Sequence, residues 1–200
     1  YGYICYIIFL ITFLYSIGFV GNILVPKSID IGPTSSIPES IITNLFLLSI
    51  FAIQHSVMAR PAFKRWWITI IPETIERSTY VLLSSVALLL MFWLWKPITL
   101  EVWTIDNPNF QKLFAGVFWT GWIIVLSSTF MISHTDLFGL RQTYLYKKRK
   151  DYTTQLFKTP LLYKFVRHPI MLGFVIAFWA TSTMTFGHLL FSIVTTCYIL

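Results

Sequence analysis

The chain has 200 residues, of which 56% are hydrophobic, 18% aromatic and only 12% charged, and its mean hydropathy is +0.70. Soluble domains carry about 25% charged residues, so this chain has too few charges to cover a water-facing surface. The composition therefore excludes an ordinary soluble protein. The net charge of +7 comes from basic residues between apolar blocks, which indicates contact with anionic lipid headgroups rather than with nucleic acid.

The apolar residues fall into five blocks, and a helix needs about 20 such residues to cross a bilayer core. The blocks are residues 3–25, 41–58, 78–95, 113–133 and 169–200. The last block has 32 residues, with the polar residues Thr181, Ser182, Thr183 and Thr185 and the pair Gly187-His188 near its middle. We predict two helices joined by a polar break there. The expected fold class is all-α, a polytopic transmembrane helical bundle with five to six membrane helices.

The chain begins with Tyr1 rather than methionine and ends at Leu200 inside an apolar run. We therefore expect a fragment of a single transmembrane domain, residues 1–200, that lacks a short N-terminus and a C-terminal segment. Residues 1–40 are expected to form a peripheral first helix and loop, and residues 41–200 the core. The first block has no cleavage-site pattern and is too long for the core of a signal peptide, so we interpret it as a membrane anchor.

Basic residues in the loops predict the orientation. Residues 58–78 hold Arg60, Lys64, Arg65 and Arg77, and residues 141–167 hold eight basic residues, including the run 147–150. The loops after blocks one and three carry little positive charge. The positive-inside rule then places the two basic loops and the N-terminus in the cytoplasm, so a site for a soluble cofactor should open on that side.

Four histidines stand at block edges: His55, His134, His168 and His188. Ionisable groups at membrane depth are costly, which makes them candidates for function. On a helix that continued past block four, His134 and Arg141 would share a face and Asp136 would lie off it. That region is either a polar wall of a site or an interfacial cap with a snorkelling Arg141. For His55, the alternatives are a role in a site and a satisfied hydrogen bond between helices.

The segment from Tyr163 to Pro169 combines a cation, an imidazole and a helix start. Arg167 and His168 directly precede Pro169, and proline fits the first position of a helix because its φ is fixed and it has no N–H. The N-terminus of such a helix presents free N–H groups and the positive end of its dipole to an anion. The arrangement suits a cofactor that carries a carboxylate or hydroxyl groups.

These residues resemble a known family. The motif RHPI at residues 167–170, with Tyr163 before it and Gly173 after it, is similar to the cofactor-binding signature of isoprenylcysteine carboxyl methyltransferases and related membrane methyltransferases. Four longer stretches resemble the methanethiol S-methyltransferase and NnrU-like branch of that family. They are QHSVMARPAFKRWW (54–67), PETIERSTYVLLSS (72–85), STFMISHTDLFGLRQ (128–142) and FWATSTMTFGHLLF (178–191). The resemblance covers roughly residues 41–200.

The resemblance implies an enzyme that uses S-adenosylmethionine to methylate a small thiol, most simply methanethiol to dimethyl sulfide. It implies that the cofactor is bound by Thr159, Tyr163, Arg167, His168, Pro169, Ile170 and Gly173. The family also has a paired-glutamate motif after the last helix, and residues 168–200 contain none. Residues 41–200 are then a methyltransferase-like core that lacks its C-terminal segment. Met171 stands where relatives often have tyrosine, and Ser182 where this branch often has proline.

Methyl transfer from a sulfonium to a thiol is an in-line displacement, for which alignment supplies much of the rate enhancement and no metal is needed. The nucleophile is the thiolate, and a small alkanethiol titrates well above neutral pH, so a nearby cation or histidine base would assist. His134, His55 and Arg141 are the catalytic candidates, because they lie at the predicted cytoplasmic ends of blocks two and four.

Other functions stay open at this point. The acceptor could be a prenylcysteine carboxylate or a phospholipid amine. The four histidines could ligate haem or a metal in a non-enzymatic membrane protein, although they show no i, i+4 pair and no neighbouring cysteine. A transporter would favour inverted repeats and more than one broken helix.

Overall fold

The computed structural model describes residues 1–153 and 161–200. Its α-helices are α1 (Gly2–Gly21), α2 (Ile37–Ala59), α3 (Pro61–Trp67), α4 (Glu73–Leu94), α5 (Pro108–Ile132), α6 (His134–Leu137), α7 (Leu140–Lys147), α8 (Pro169–Trp179) and α9 (Phe186–Ile199). Strands β1 (Glu101–Thr104) and β2 (Thr183–Thr185) and a 3-10 helix at Leu161–Lys164 complete the described elements.

Four of these helices, α1, α2, α4 and α5, are long and apolar enough to cross a membrane. They have 20, 23, 22 and 25 residues, which at about 1.5 Å per residue gives the length of a hydrocarbon core. The helices α8 and α9 are apolar but shorter, with 11 and 14 residues. The structure therefore confirms the predicted all-α polytopic bundle, and the protein is an integral membrane protein.

The polar break predicted in the last apolar block separates α8 from α9. Its residues form β2, which pairs antiparallel with β1, so that Thr183 lies opposite Thr104 and Thr185 opposite Glu101. The Thr185 side chain also accepts a hydrogen bond of 3.1 Å from the backbone N–H of His188 and so caps α9. The break thus finds its hydrogen-bond partners in the loop after α4. This short ribbon was not predicted from the sequence.

Helices α5 and α8 pack at close range because each has a glycine at the contact. A Cβ added at Gly173 would lie 2.7 Å from the carbonyl oxygen of Gly121 and 2.8 Å from a methyl group of Val125. A Cβ added at Gly121 would lie 2.6 Å from the backbone nitrogen of Ala177. Small residues permit this approach of two backbones inside a membrane. The order of the contacts makes the helices antiparallel, so the start of α8 at Pro169 lies beside the last turns of α5.

Aromatic side chains fill the core between the long helices. Phe19 of α1 lies 4.6 Å from Phe92 of α4, measured between ring centroids, and Trp122 of α5 contacts the rings of Phe174 and Phe178 of α8. Phe19 is fully buried, which places the C-terminal end of α1 inside the bundle. Helix α1 therefore packs as part of the helical core, against α4.

Candidate functional site

A cavity of about 1110 Å³ lies at the end of the bundle where α2 and α5 end and α4 begins. Its volume is large enough for a ligand of nucleoside size, since ligand pockets commonly measure about 300–1,000 Å³. Its basic lining residues are Lys64, Arg77, Lys147, Arg149 and Lys150, and its acidic ones are Glu73, Glu76, Asp136 and Asp151. Residues of both basic loops thus meet around one cavity.

The helical path is interrupted twice between α5 and α7. Helix α5 ends at Ile132, α6 covers only His134–Leu137, and α7 begins at Leu140. Between them Gly139 has a φ of 80°, a conformation that favours glycine, and a Cβ there would lie 2.5 Å from the Ser78 hydroxyl oxygen. The expectation that His134 and Arg141 share one face of a continuing helix is therefore wrong.

His134 is buried and hydrogen-bonded through both ring nitrogens. The Thr129 hydroxyl donates to the carbonyl oxygen of Leu126 at 2.7 Å, so it accepts from Nδ1–H of His134, which lies 2.9 Å away. The other nitrogen, Nε2, then accepts from the Tyr6 hydroxyl at 2.8 Å. The ring also stacks on Phe130 with centroids 4.3 Å apart. Burial lowers the pKa of His134 below its ordinary value, which favours this neutral form.

His55 joins α2 to α4. The Tyr80 hydroxyl lies 3.0 Å from its Nδ1 and 3.1 Å from its Nε2, and the Ser84 hydroxyl lies 3.3 Å from Nδ1. The ring of Phe51, one turn earlier on α2, stacks on the imidazole at 5.2 Å. These contacts place His55 and His134 in separate clusters, one between α2 and α4 and the other between α1 and α5–α6.

Arg141 takes part in a cluster around Asp136. Its guanidinium lies 3.4 Å from the Asp136 carboxylate and 5.5 Å from the centroid of the Tyr152 ring. The Tyr152 hydroxyl and the Gln142 amide donate to Asp136 Oδ1 at 3.1 and 2.8 Å. Burial and the hydrogen bond to Asp136 raise the pKa of Tyr152, so its hydroxyl stays a donor. The cluster ties the segment after α7 to α6 along one wall of the cavity.

Two charged residues of α4, Glu76 and Arg77, lie on the cavity wall. From the sequence, Arg77 was used only to predict the orientation in the membrane, and Glu76 was not singled out. Arg77 donates from Nε to the carbonyl oxygen of Leu137 at 2.7 Å, and its guanidinium lies 5.0 Å from the centroid of the Tyr80 ring. Glu76 is buried and lies 3.4 Å from the Lys64 ammonium. The spacing of Glu76, Arg77 and Tyr80 within one helical turn was the signal that could have indicated this site.

The residues expected to bind the cofactor lie at and before the start of α8. Tyr163 is half-buried in the 3-10 helix, and burial raises the pKa of its hydroxyl. Arg167 and His168 are exposed, and Pro169 opens α8 as predicted. No side chain caps the start of α8 in the described part of the chain, so its first N–H groups stay available.

The remaining three residues of that set have different positions. Ile170 is half-buried in the first turn of α8. Gly173 lies at the contact with Gly121, where its lack of a side chain serves helix packing. Thr159 lies outside the described residues.

His188 lies away from this site, at the opposite end of the bundle, near the β1–β2 ribbon. It is fully buried, and its Nε2 lies 2.9 Å from the carbonyl oxygen of Phe178. Within residues 1–153 and 161–200, no three His, Cys, Asp or Glu side chains come together as a set of metal ligands. The four histidines are therefore dispersed rather than convergent.

Comparison with known proteins identifies the relatives. The sequence model of the NnrU protein family matches residues 44–197. The chain belongs to the NnrU family. It is 56% identical over 200 residues to methanethiol S-methyltransferase 2 of Bradyrhizobium diazoefficiens, an alignment that covers 100% of this chain and 77% of that protein.

Two further relatives extend this comparison. The methanethiol S-methyltransferase of Mycobacterium tuberculosis is 54% identical over 200 residues, covering 100% of this chain and 82% of that protein. Nurim of Rattus norvegicus is 27% identical over 173 residues, covering 82% of this chain and 65% of that protein. No solved structure matches. The NnrU assignment confirms the family predicted from the motifs.

The NnrU match and the methyltransferase alignments cover different parts of the chain. The match to the NnrU family begins at residue 44, within α2, whereas the alignments with the first two methyltransferases cover the whole chain, α1 included. Helix α1, whose Tyr6 forms a hydrogen bond with His134, thus lies in the part of the chain that aligns with the methyltransferases.

Proposed function

We propose that this NnrU-family protein is an S-adenosylmethionine-dependent methyltransferase that converts methanethiol to dimethyl sulfide. The observation that carries the proposal is its identity of 50–56% over the whole chain with proteins named methanethiol S-methyltransferase. These alignments include all the described residues that line the cavity. Methylation of methanethiol, the reaction that the relatives are named for, is therefore the simplest reaction to propose for this site.

The residues present fit the methyl donor. S-adenosylmethionine carries a carboxylate, an ammonium group, a ribose diol and a sulfonium, and the cavity offers both carboxylates and cations over a volume of about 1110 Å³. The start of α8, with Arg167 and His168 before it, adds free N–H groups and positive charge for a carboxylate or hydroxyl. When bound, the donor supplies a methyl group on a positively charged sulfur.

The catalytic candidates receive different roles under this proposal. His134 has both nitrogens engaged, so we assign it to holding α6, and with it Asp136, in place on the cavity wall. His55 stays the proposed acceptor of the thiol proton, since it lies on the helix end that borders the cavity. Arg141 stays a proposed source of positive charge, although Asp136 offsets much of it.

We also propose that the cavity faces the cytoplasm. The two basic loops meet at this end, and the positive-inside rule assigns such loops to the cytoplasmic side. The cationic run at residues 147–150 is exposed and would contact anionic headgroups, which attract basic segments next to a membrane helix. This orientation gives the soluble donor direct access to the site.

Binding of radiolabelled S-adenosylmethionine to membranes that contain the full-length protein tests the donor assignment. Wild-type membranes should bind the donor, and the double variant Arg167→Ala, His168→Ala should bind it at least about tenfold more weakly, as expected when charge-assisted hydrogen bonds are lost. Lys112→Ala, at the exposed start of α5 on the other end of the bundle, is the matched control for a lost charge and should bind normally. No binding by the folded wild type would contradict the proposed function.

A further inference from the structure

We propose that Arg77 is the residue that binds the methyl acceptor and stabilises it as a thiolate. This proposal rests on the proposed function. It adds a role for Arg77, which was interpreted from the sequence only as a basic residue of a cytoplasmic loop. Three features of Arg77 support the assignment: its fixed position, the lack of an acidic partner for it among the described residues, and the apolar surface of the same cavity.

The guanidinium of Arg77 is held in place from two directions. Its Nε donates to the carbonyl oxygen of Leu137 at 2.7 Å, and the ring of Tyr80 lies beneath it at 5.0 Å. Tyr80 is itself buried, and its hydroxyl contacts the imidazole of His55. Arg77 lines the cavity, and within residues 1–153 and 161–200 its two terminal nitrogens have no hydrogen-bond partner, so they remain as donors for a ligand there. A cation fixed in this way needs no reorganisation when an anion forms next to it.

Two other cations at this end of the bundle have acidic partners. Lys64 pairs with Glu76 at 3.4 Å, and Arg141 pairs with Asp136 at 3.4 Å. Among the ion pairs of residues 1–153 and 161–200, none includes Arg77. The wall also carries Lys147, Arg149 and Lys150, which are exposed, so water screens their charges. Arg77 is therefore the half-buried cation of the described wall whose charge is still available to a ligand.

The titratable groups around Arg77 are few enough to be named. They are His55 on α2, Lys64 on α3, Glu73, Glu76 and Tyr80 on α4, Asp136 on α6, and Tyr146, Lys147, Arg149, Lys150, Asp151 and Tyr152 across the cavity. Glu73 is exposed and lies one turn before Arg77 without forming an ion pair with it in the structure. A small anion can thus approach the guanidinium from the cavity without displacing a carboxylate.

Apolar side chains on the wall of the same cavity fit the rest of a small thiol. Met58, Ile132 and Leu137 line the same cavity, and the carbonyl group of Leu137 is the one that holds the guanidinium. A sulfur placed on the guanidinium would therefore lie in a cavity that also offers hydrocarbon for its methyl group. The combination suits a small apolar thiol.

The role of Arg77 in the reaction is to favour the ionised acceptor. The thiol S–H bond breaks and its proton goes to His55, the proposed acceptor, and from there to solvent water, leaving the electron pair on a sulfur next to the guanidinium. That pair forms the new sulfur–carbon bond while the bond between the donor sulfur and its methyl group breaks, with its electrons left on the donor sulfur. The products are dimethyl sulfide, S-adenosylhomocysteine and one proton. A cation within about 4–6 Å lowers the pKa of an acid by about 1–3 units.

The pH dependence of kcat with saturating methanethiol tests this role, because kcat reports ionisations in the bound complex. In wild type, kcat should rise with pH up to the lowered pKa of the bound thiol and then level off. In Arg77→Gln that rise should move up by about one to three pH units, with roughly a tenfold lower rate at neutral pH for each unit. Arg77→Lys should lie between the two, because it keeps the charge and loses the planar fork. Arg65→Gln, an exposed arginine of α3 at the same end of the bundle, should keep the wild-type profile.

Two further measurements separate this role from a structural one. The loss in Arg77→Gln should be smaller for a more acidic thiol such as 2,2,2-trifluoroethanethiol, which ionises without help. Donor-free protein should show the ultraviolet band of a thiolate on binding methanethiol near neutral pH in wild type and not in Arg77→Gln. Binding of S-adenosylmethionine should differ by less than about threefold between the two, a difference below 1 kcal/mol.

The outcomes are distinguishable. If the rate of Arg77→Gln falls equally at every pH and for both thiols, the proposal is overturned and Arg77 is a structural residue. The proposal is also overturned if Arg77→Lys folds normally but no longer binds the donor. Wild-type protein that binds no donor and methylates no thiol would instead overturn the proposed function, whatever the variant does.

Discussion

The hydroxyl of Tyr6, near the start of the first helix, lies 2.8 Å from Nε2 of His134, which is 128 residues further along the chain. Thr129 holds the other ring nitrogen, so the imidazole has a defined tautomer and no free nitrogen. The contact ties α1 to the turn after α5, and this turn carries Asp136 and Leu137 to the cavity wall. The first helix therefore supports the candidate site directly.

Removing the Tyr6 hydroxyl should lower stability. In Tyr6→Phe, Nε2 of His134 becomes a buried acceptor without a partner, which costs about 1–3 kcal/mol. The thermal midpoint of unfolding in detergent should fall by several degrees. Tyr3→Phe removes an exposed hydroxyl from the same helix and should leave the midpoint unchanged. Equal midpoints for Tyr6→Phe and wild type would show that the hydrogen bond does not hold α1 to the turn.

Gly173 should be sensitive to a single added methyl group. In Gly173→Ala, the new Cβ meets the Gly121 carbonyl oxygen at 2.7 Å, so α5 and α8 must move apart at a cost of about 1–3 kcal/mol. The matched control is Gly116→Ala on α5, where a Cβ meets nothing within 4 Å and the higher helix propensity of alanine is gained. Thermal unfolding should rank Gly116→Ala at or above wild type and Gly173→Ala below it. The reverse order would contradict the described helix contact.

His134 should make the stability depend on pH. Burial lowers its pKa in the folded protein below the ordinary value of 6.5, so below that value the unfolded chain takes up the proton more readily. Its contribution is present above about pH 6.5 and is lost as the pH falls from there through the folded pKa. The thermal midpoint of wild type should therefore drop between about pH 7.5 and pH 5.5. His134→Gln should show a smaller drop over the same range, and an equal drop would assign the pH dependence to other groups.

The proposed orientation predicts which cysteines a membrane-impermeant maleimide reaches. In a background with Cys5→Ala and Cys197→Ala, Lys148→Cys at the exposed end of α7 should stay unlabelled in intact cells and react once the cells are permeabilised. Asp106→Cys, in the exposed turn before α5, should react in intact cells. The opposite pattern would place the cavity on the outer side of the membrane.

The apolar blocks allowed most of the fold to be predicted. A helix in hydrocarbon must satisfy its own backbone, so block length alone indicates the spans that became α1, α2, α4 and α5. Pro169 correctly marked the start of α8, because proline suits the first position of a helix. The threonine-rich break was also predicted correctly. Its pairing with β1 was not, because no local sequence pattern indicates that the two loops contact each other.

The candidate site was harder to predict, because its side chains are matched through tertiary contacts. Between His134 and Arg141, Gly139 is the one residue that indicates two short helices rather than a single helix. Its positive φ cannot be seen from the sequence alone. The partner of His134 comes from the first helix, which shares no motif with it. Arg77 looked like one loop charge among several until the Leu137 carbonyl and the Tyr80 ring gave it a fixed position.

Formation of the labelled product tests the methyltransferase assignment. Membranes that contain the full-length protein should be given methanethiol and S-adenosylmethionine with an isotopically labelled methyl group, and the headspace analysed by gas chromatography with mass spectrometry. Labelled dimethyl sulfide should form only when both substrates are present, and its amount should fall strongly in the Arg167→Ala, His168→Ala variant. Absence of labelled dimethyl sulfide from membranes in which the wild-type protein is folded would contradict it.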